Sequence, residues 1–178
     1  MADETIRVVT PSQLSESEFA AVHDLIAVGG EVRISQLAEH LSSSRRIALI
    51  EVDGKLACVG AIKDARPNYV LAIARKSGYA LDAENCVGEY GYVVTQVLFR
   101  NRGLARALST ELLKDIEDSL YATTRDDNPA IHTIVRDNGF MQVRMKWRSS
   151  QHPESSLMLW IRKRSEGYAQ RTDSDAPD

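Results

Sequence analysis

The stretch Thr95 to Leu108, TQVLFRNRGLARAL, decides how this chain is read, because an apolar extended run passes into a helix there through Arg100-Asn101-Arg102-Gly103-Leu104-Ala105. On its N-terminal side, Tyr92, Val93, Val94 and Val97 lie in a β-branched and aromatic run, Tyr90 to Val97, of strand length. On its C-terminal side Leu104, Leu108, Leu112 and Ile116 step by four, which predicts a long amphipathic helix. The turn between them suits an anion. The first turn of a helix presents unpaired N–H donors and about half a positive charge. Gly103 and Ala105 would let a pyrophosphate approach the backbone, and Arg100, Arg102 and Arg106 add cationic donors. Solvated arginines on an ordinary strand-to-helix turn would use the same six residues, so the turn is not decisive alone. Neither a Walker loop nor a G-x-G-x-x-G is present, which argues against nucleotide hydrolysis and dinucleotide binding.

Working outward, Asn128-Pro129 supplies an N-cap and a proline at the first helical position. Ile131, Ile134 and Val135 form the apolar face, and Asn138-Gly139 closes the helix. Leu120 to Thr124, Met141 to Met145 and Leu157 to Ile161 read as strands. Toward the N-terminus, Ile47 to Val52 and Leu56 to Ile62 flank Asp53-Gly54, a strong hairpin signal because both turn positions need positive φ. Ser15-Glu16-Ser17-Glu18 has the form of a capping box opening a helix that Gly29-Gly30 ends. Ile34, Leu37, Ala38 and Leu41 share one face of a second helix. Pro67 to Tyr79 is ambiguous between loop and a short helix ending at Gly78, and the chain from there to Val87 reads as a loop. The order is helix pair, hairpin, strand, helix, strand, helix, strand, strand: a mixed α/β sheet. Residues 1–164 are expected to form a single domain, and residues 165–178, polar and without apolar periodicity, a mobile tail.

The 178 residues fit one ordinary core, with 43% hydrophobic and 26% charged residues. No apolar run is long enough to cross a bilayer and the first ten residues lack the pattern of a signal peptide, so the expected location is the cytoplasm, without a membrane partner. A net charge of −3 creates no field favouring nucleic acid. Cys58 and Cys86 form no zinc pattern and read as small buried hydrophobes.

With those elements in place the chain resembles the GNAT superfamily of acyl-CoA-dependent N-acyltransferases. The family's cofactor motif is Arg or Gln, two residues, Gly, one residue, Gly or Ala; Arg100, Gly103 and Ala105 match it, with Phe99 and Leu108 at its aromatic and leucine positions. Asn128 and Gly139-Phe140 match the Asn that opens the family's next helix and the Gly-Phe that closes it. The resemblance covers roughly residues 5–162. It implies a mixed α+β fold with a central sheet of about six to seven strands and about four helices. It implies acetyl-CoA as cosubstrate, an amine acceptor and no metal, with monomer or homodimer left open. By the same resemblance the backbone amides of Arg102, Gly103, Leu104 and Ala105 hold the pyrophosphate. The main chain of Val97 pairs with the pantetheine arm, and Asn128 contacts the arm near its sulfur.

The same likeness suggests direct attack of an amine on the thioester, with a base to take the ammonium proton and an acid for the departing thiolate. Glu89, eleven residues before Arg100, occupies the position of a glutamate base in histone-acetylating members. Strand alternation would put it on one face with Gly91, Val93 and Thr95. The usual acid, a tyrosine seven residues after the motif Asn, is here Val135, so Tyr121, His132, Tyr90 and Tyr92 are the remaining candidates. Cys86 as a covalent nucleophile lacks a recognisable partner. Charge is also split along the chain. Residues 1–44 carry seven carboxylates against two arginines, and residues 136–164 seven cations against two carboxylates. One acidic wall for a cationic amine and one basic wall, with Arg144, Lys146 and Arg148, are therefore expected beside solvated surface charge. The reading is an N-acetyltransferase acting on a primary amine. Its rivals are an acyl-CoA sensor or scaffold without turnover and a toxin-type acetyltransferase acting on aminoacyl-tRNA.

Overall fold

The computed structural model describes residues 3–29, 34–81 and 86–164. An edge strand, β1 (Glu4–Val9), comes first, followed by α1 (Glu16–Val28), α2 (Leu37–Ser42) and a hairpin of β2 (Ser44–Val52) and β3 (Lys55–Asp64). The hairpin turns on Asp53 and Gly54, whose φ values of 49° and 72° match the mirror-image turn that the right-handed twist of paired strands requires. Next come α3 (Pro67–Ser77), β4 (Cys86–Thr95), α4 (Leu104–Leu113), β5 (Ser119–Arg125), α5 (Pro129–Asp137), β6 (Met141–Arg148) and β7 (Ser156–Arg162). The seven strands form one mixed sheet in the order β1-β2-β3-β4-β5-β7-β6.

Three apolar clusters bind helices to the sheet. Val22, Leu25 and Ile26 of α1 and Leu37 and Leu41 of α2 pack on Leu49, Val59 and Ala61. On the opposite face Leu104, Leu108 and Leu112 of α4 and Val135 of α5 pack on Cys58, Tyr90 and Trp160. Val70 and Ile73 of α3 cover Tyr121, Leu159 and Ile161, so α3 shares a face with α1 and α2.

Several boundaries depart from the sequence reading. The strand β1 is not anticipated, because ETIRVV shows little apolar alternation and its first residues are exposed; pairing with β2 from Glu4↔Val52 to Val9↔Ile47 makes it a strand. Pro67–Ser77 is a helix, closed by Gly78 in the left-handed conformation. The helix after the glycine turn stops at Leu113 because Lys114 turns extended and Asp115 takes φ 58°; Ile116 keeps its place against the core from outside the helix. Ile34 is 62% exposed on a 3-10 turn and does not share the buried face of Leu37 and Leu41. The strand expected from Tyr90 begins at Cys86 and ends at Thr95, so Cys86 and Val87 belong to it and Val97 does not. Gly30, Glu31 and the tail expected over residues 165–178 lie outside the described residues.

Candidate active site in the split between β4 and β5

The two parallel strands are paired at Cys86↔Ser119, Gly88↔Leu120 and Glu89↔Tyr121, and the register ends there. Beyond Glu89 they diverge. A cleft of about 520 Å³ opens between them, lined by Tyr90 to Val94 of β4, Ala122 to Arg125 of β5, Asn128 and Ile131 of α5, and residues of α3. Its mouth is bounded by Trp147 to His152, which end β6 and begin the turn into β7.

A bulge sets which side chains enter the cleft from β4. Tyr92 has φ 56°, and the pairing with β3 slips between Val59↔Val94 and Ala61↔Gly91. The extra residue reverses the alternation. Glu89 therefore shares a face with Tyr92 and Val94 rather than with Val93 and Thr95, which turn toward the α4 side: Lys63 Nζ pairs with Glu89 and lies 4.4 Å from the Tyr92 ring centre, while Thr95 meets Cys58 at 3.1 Å. A register slip of one residue is what alternation in the sequence cannot show.

Glu89 is buried and both its oxygens are engaged. Oε2 accepts from Lys63 Nζ at 2.8 Å and Oε1 accepts from Thr123 Oγ1 at 3.2 Å. Tyr69 enters the same cluster from α3, a residue the sequence reading did not single out because its helix was uncertain. The negative charge of Glu89, then burial, push the Tyr69 phenol well above the usual tyrosine range, so it stays protonated. Tyr92 is pushed up to about 12, by burial first and Glu89 second. His40 of α2 accepts at Nε2 from the Arg66 guanidinium at 2.7 Å; burial and then Arg66 hold its pKa below the ordinary value, which keeps the ring neutral.

At the far end of β4, Gly103 is the N-cap of α4 with φ 79°, a conformation that favours glycine, and nothing lies within 4 Å of where its Cβ would stand. The amides of Arg106 and Ala107 donate to the Gly103 carbonyl at 3.0 and 3.1 Å, so those of Leu104 and Ala105 precede the helical ladder. Leu104 is buried and anchors the turn, with Ala105 packed beside it. Arg100 donates from Nε to the Thr95 carbonyl at 3.3 Å, Arg102 lies 5.7 Å from the Phe99 ring centre, and Arg106 pairs with Asp137 at 3.1 Å. Val97 begins a 3-10 turn, its carbonyl accepting from the Arg100 amide at 3.3 Å. Asn128 caps α5, with Oδ1 accepting from the Ile131 amide at 3.3 Å, and lines the cleft.

Other sequence candidates lie elsewhere. Tyr121 is fully buried under α3, its hydroxyl without a partner among the described residues, and burial pushes its pKa above the usual range. His132 is 8% exposed, with Nε2 on the Arg125 carbonyl at 2.8 Å and its ring 5.4 Å from Trp160. Neither lines the cleft. Val135 is fully buried against Tyr90 and Phe140. Cys58 and Cys86 are buried and form no disulfide among the described residues, and burial pushes the Cys58 thiol up to about 11.

The two expected charged walls do not form among the described residues, which leave out the Arg144 side chain of the basic wall. Among the described residues of the N-terminal segment, only Ile26, Gln36 and His40 line the cleft, and none of its carboxylates does; Glu31 lies outside the described residues. On the basic side Arg148 reaches the cleft, whereas Lys146 is paired with Asp126 at 3.2 Å.

No protein-family model and no curated protein matches this chain. Solved structures do. An acyl-CoA N-acyltransferase from Pseudomonas aeruginosa is similar at 16% identity and a TM-score of 0.58, covering 91% of this chain and 99% of its own. The ribosomal-protein-S18-alanine N-acetyltransferase of Escherichia coli is similar at 13% identity and a TM-score of 0.63, with 93% and 98% covered. A GNAT family acetyltransferase from Elizabethkingia anophelis with acetyl-CoA bound is similar at 11% identity and 0.57, with 90% and 97% covered. Strand order, the split between β4 and β5 and these likenesses together give the chain the GNAT N-acyltransferase fold.

Proposed function

We propose that this protein is an N-acetyltransferase that moves an acetyl group from acetyl-CoA to a primary amine. The observation that carries the reading is the placement of a buried carboxylate, Glu89, at the vertex where β4 and β5 part, with the open turn at Gly103 beyond the end of β4, where α4 begins. Acetyl-CoA, when bound, supplies an acyl group activated as a thioester. The residues present fit such a cosubstrate: the amides of Leu104 and Ala105 and the space over Gly103 suit a pyrophosphate, and the Asn128 side-chain amide on the opposite wall can donate to a pantetheine arm.

Glu89 takes the proton of the ammonium form of the acceptor. Lys63 fixes Oε2, and the Thr123 hydroxyl can turn its hydrogen away, so Oε1 is the accepting atom. Tyr69, protonated and facing the same cleft, is the proton donor, which gives the role vacated at Val135 to a side chain from α3. The test is release of free CoA from acetyl-CoA with a panel of amines, together with a mass gain of one acetyl group on an amine. Binding of acetyl-CoA with neither product signal would instead favour a sensor or scaffold without turnover.

A further inference from the structure

The cleft is cationic although the whole chain carries a net charge of −3. Lys63, Arg66, Lys76, Arg125 and Arg148 line it, and Glu89 is its one lining carboxylate among the described residues. Two of those cations are already matched, Lys63 by Glu89 at 2.8 Å and Arg125 by Asp127 at 3.1 Å. Arg66, Lys76 and Arg148 have no carboxylate partner among the described residues.

Arg66 is the best organised of the three. It is the N-cap residue of α3 and is held by two groups that leave its charge uncompensated: the neutral imidazole of His40, to which it donates, and the ring of Tyr69, 5.0 Å away. Such a guanidinium is positioned before any anion arrives, which lowers the entropy lost when one binds. Arg66, Tyr69, Ala72, Ile73 and Lys76 recur at helical spacing, so one face of α3 forms a wall with a cation at each end and an apolar middle. Arg148 stands on the neighbouring rim.

Building on the acetyltransferase reading, we infer that the acceptor is a small primary amine carrying a carboxylate or phosphate group, received by Arg66 with Lys76 and Arg148 along the α3 wall. The cationic residues line the cleft, while the N-terminal segment beside it carries exposed carboxylates such as Asp24. That distribution suits a small anionic molecule better than an RNA backbone.

The experiment compares matched amines with the full chain: amino acids against their decarboxylated amines, and O-phosphoethanolamine against ethanolamine. At least one anionic member should exceed its neutral counterpart in kcat/KM by about tenfold or more, the scale of one charge-assisted hydrogen bond. The amino-acid and phosphate pairs separate the two sources of anion. Arg66→Gln should collapse that ratio and Arg66→Lys should restore part of it, both with the Kd of acetyl-CoA unchanged at one fixed salt concentration, and high salt should lower the ratio in the wild type. Neutral amines used as well as their anionic counterparts, acceptance of aminoacyl-tRNA alone, or a weaker acetyl-CoA affinity in Arg66→Gln would overturn the proposal. If no amine is acetylated, the acetyltransferase reading fails separately. Calorimetric titration of the same pairs into the CoA-saturated protein then decides the charge preference: tenfold tighter binding of an anionic member supports it, and equal binding refutes it.

Discussion

Glu89 Oε2 and Lys63 Nζ lie 2.8 Å apart with only 6% and 16% of their side chains exposed, facing each other across the β3 and β4 ladder. Removing one member of such a pair leaves a buried charge unmatched, which costs more than the pair itself contributes. Lys63→Met should lower the unfolding free energy by about 3 kcal/mol, and the double variant Lys63→Met with Glu89→Gln should regain part of that loss. Urea denaturation of the wild type, Lys63→Met, Glu89→Gln and the double variant measures the coupling. A Lys63→Met protein as stable as the wild type would mean that water, not lysine, satisfies Glu89.

Gly103 combines a φ of 79° with empty space where a Cβ would project, so the protein itself does not need that space. Gly103→Val should lose about 1 to 3 kcal/mol of stability through backbone strain and bind acetyl-CoA at least about tenfold more weakly. Gly103→Asn, a residue that tolerates the left-handed region, should keep most of the stability and still lose affinity. Wild-type affinity in the Asn variant, measured by calorimetry, would remove the pyrophosphate from this turn.

The strongest local signals in the sequence were those in which one residue type answers one backbone demand. Asp53-Gly54 turns the hairpin, Ser15 and Glu18 cap α1 reciprocally, and Asn128 caps α5, all as their types predict. What was not legible depends on contacts between distant segments. The bulge at Tyr92 re-aims Glu89 through pairing with β3, and Tyr69 lines the same cleft as Glu89 only because α3 packs on the sheet over β6 and β7. The charge of residues 1–44 was visible, but not that its described carboxylates face away from the cleft lining, since sequence gives the sign of a side chain and not the direction it faces.

His132 illustrates the difference between a residue type and its setting. Its Nε2 sits on the Arg125 carbonyl and its ring lies against Trp160, whose own Nε1 donates to Thr124 at 2.8 Å. His132→Ala should lower stability by about 1 to 3 kcal/mol while leaving kcat per folded molecule unchanged. A fall in kcat at unchanged stability would return His132 to the list of proton donors.

Glu18 gives a pH signature far from the cleft. The Ser15 backbone N–H, the Arg7 guanidinium and the Ser15 hydroxyl hold its carboxylate down at about 2, below the usual range near 4.5. Because the folded value is depressed, the stabilisation is complete above the unfolded value and disappears as pH falls through the folded one. Glu18→Gln should therefore be less stable than wild type at pH 7, with the gap narrowing between about pH 4.5 and 2 and closing below that. Thermal melts across that range check it, and a gap independent of pH would assign the effect to lost packing.

Proton transfer is the step on which Tyr69 and Glu89 can be separated. Glu89→Gln preserves shape and removes the accepting oxygen, so kcat/KM should fall by roughly 10² to 10⁴ with acetyl-CoA affinity retained. That defect should shrink as pH approaches the pKa of the acceptor amine, because free amine no longer needs a base. Tyr69→Phe removes the donor instead, so its loss should persist at high pH and should ease with thioesters whose thiol leaves more readily. Placing a tyrosine at Val135 would not test this, since Val135 is fully enclosed by the core and a ring there would overpack it at about 1 to 3 kcal/mol. If Tyr69→Phe and Glu89→Gln give the same pH profile, the two act as one hydrogen-bonded unit through Thr123. A wild-type profile in Glu89→Gln would remove Glu89 as the base and leave positioning of the two substrates as the protein's contribution.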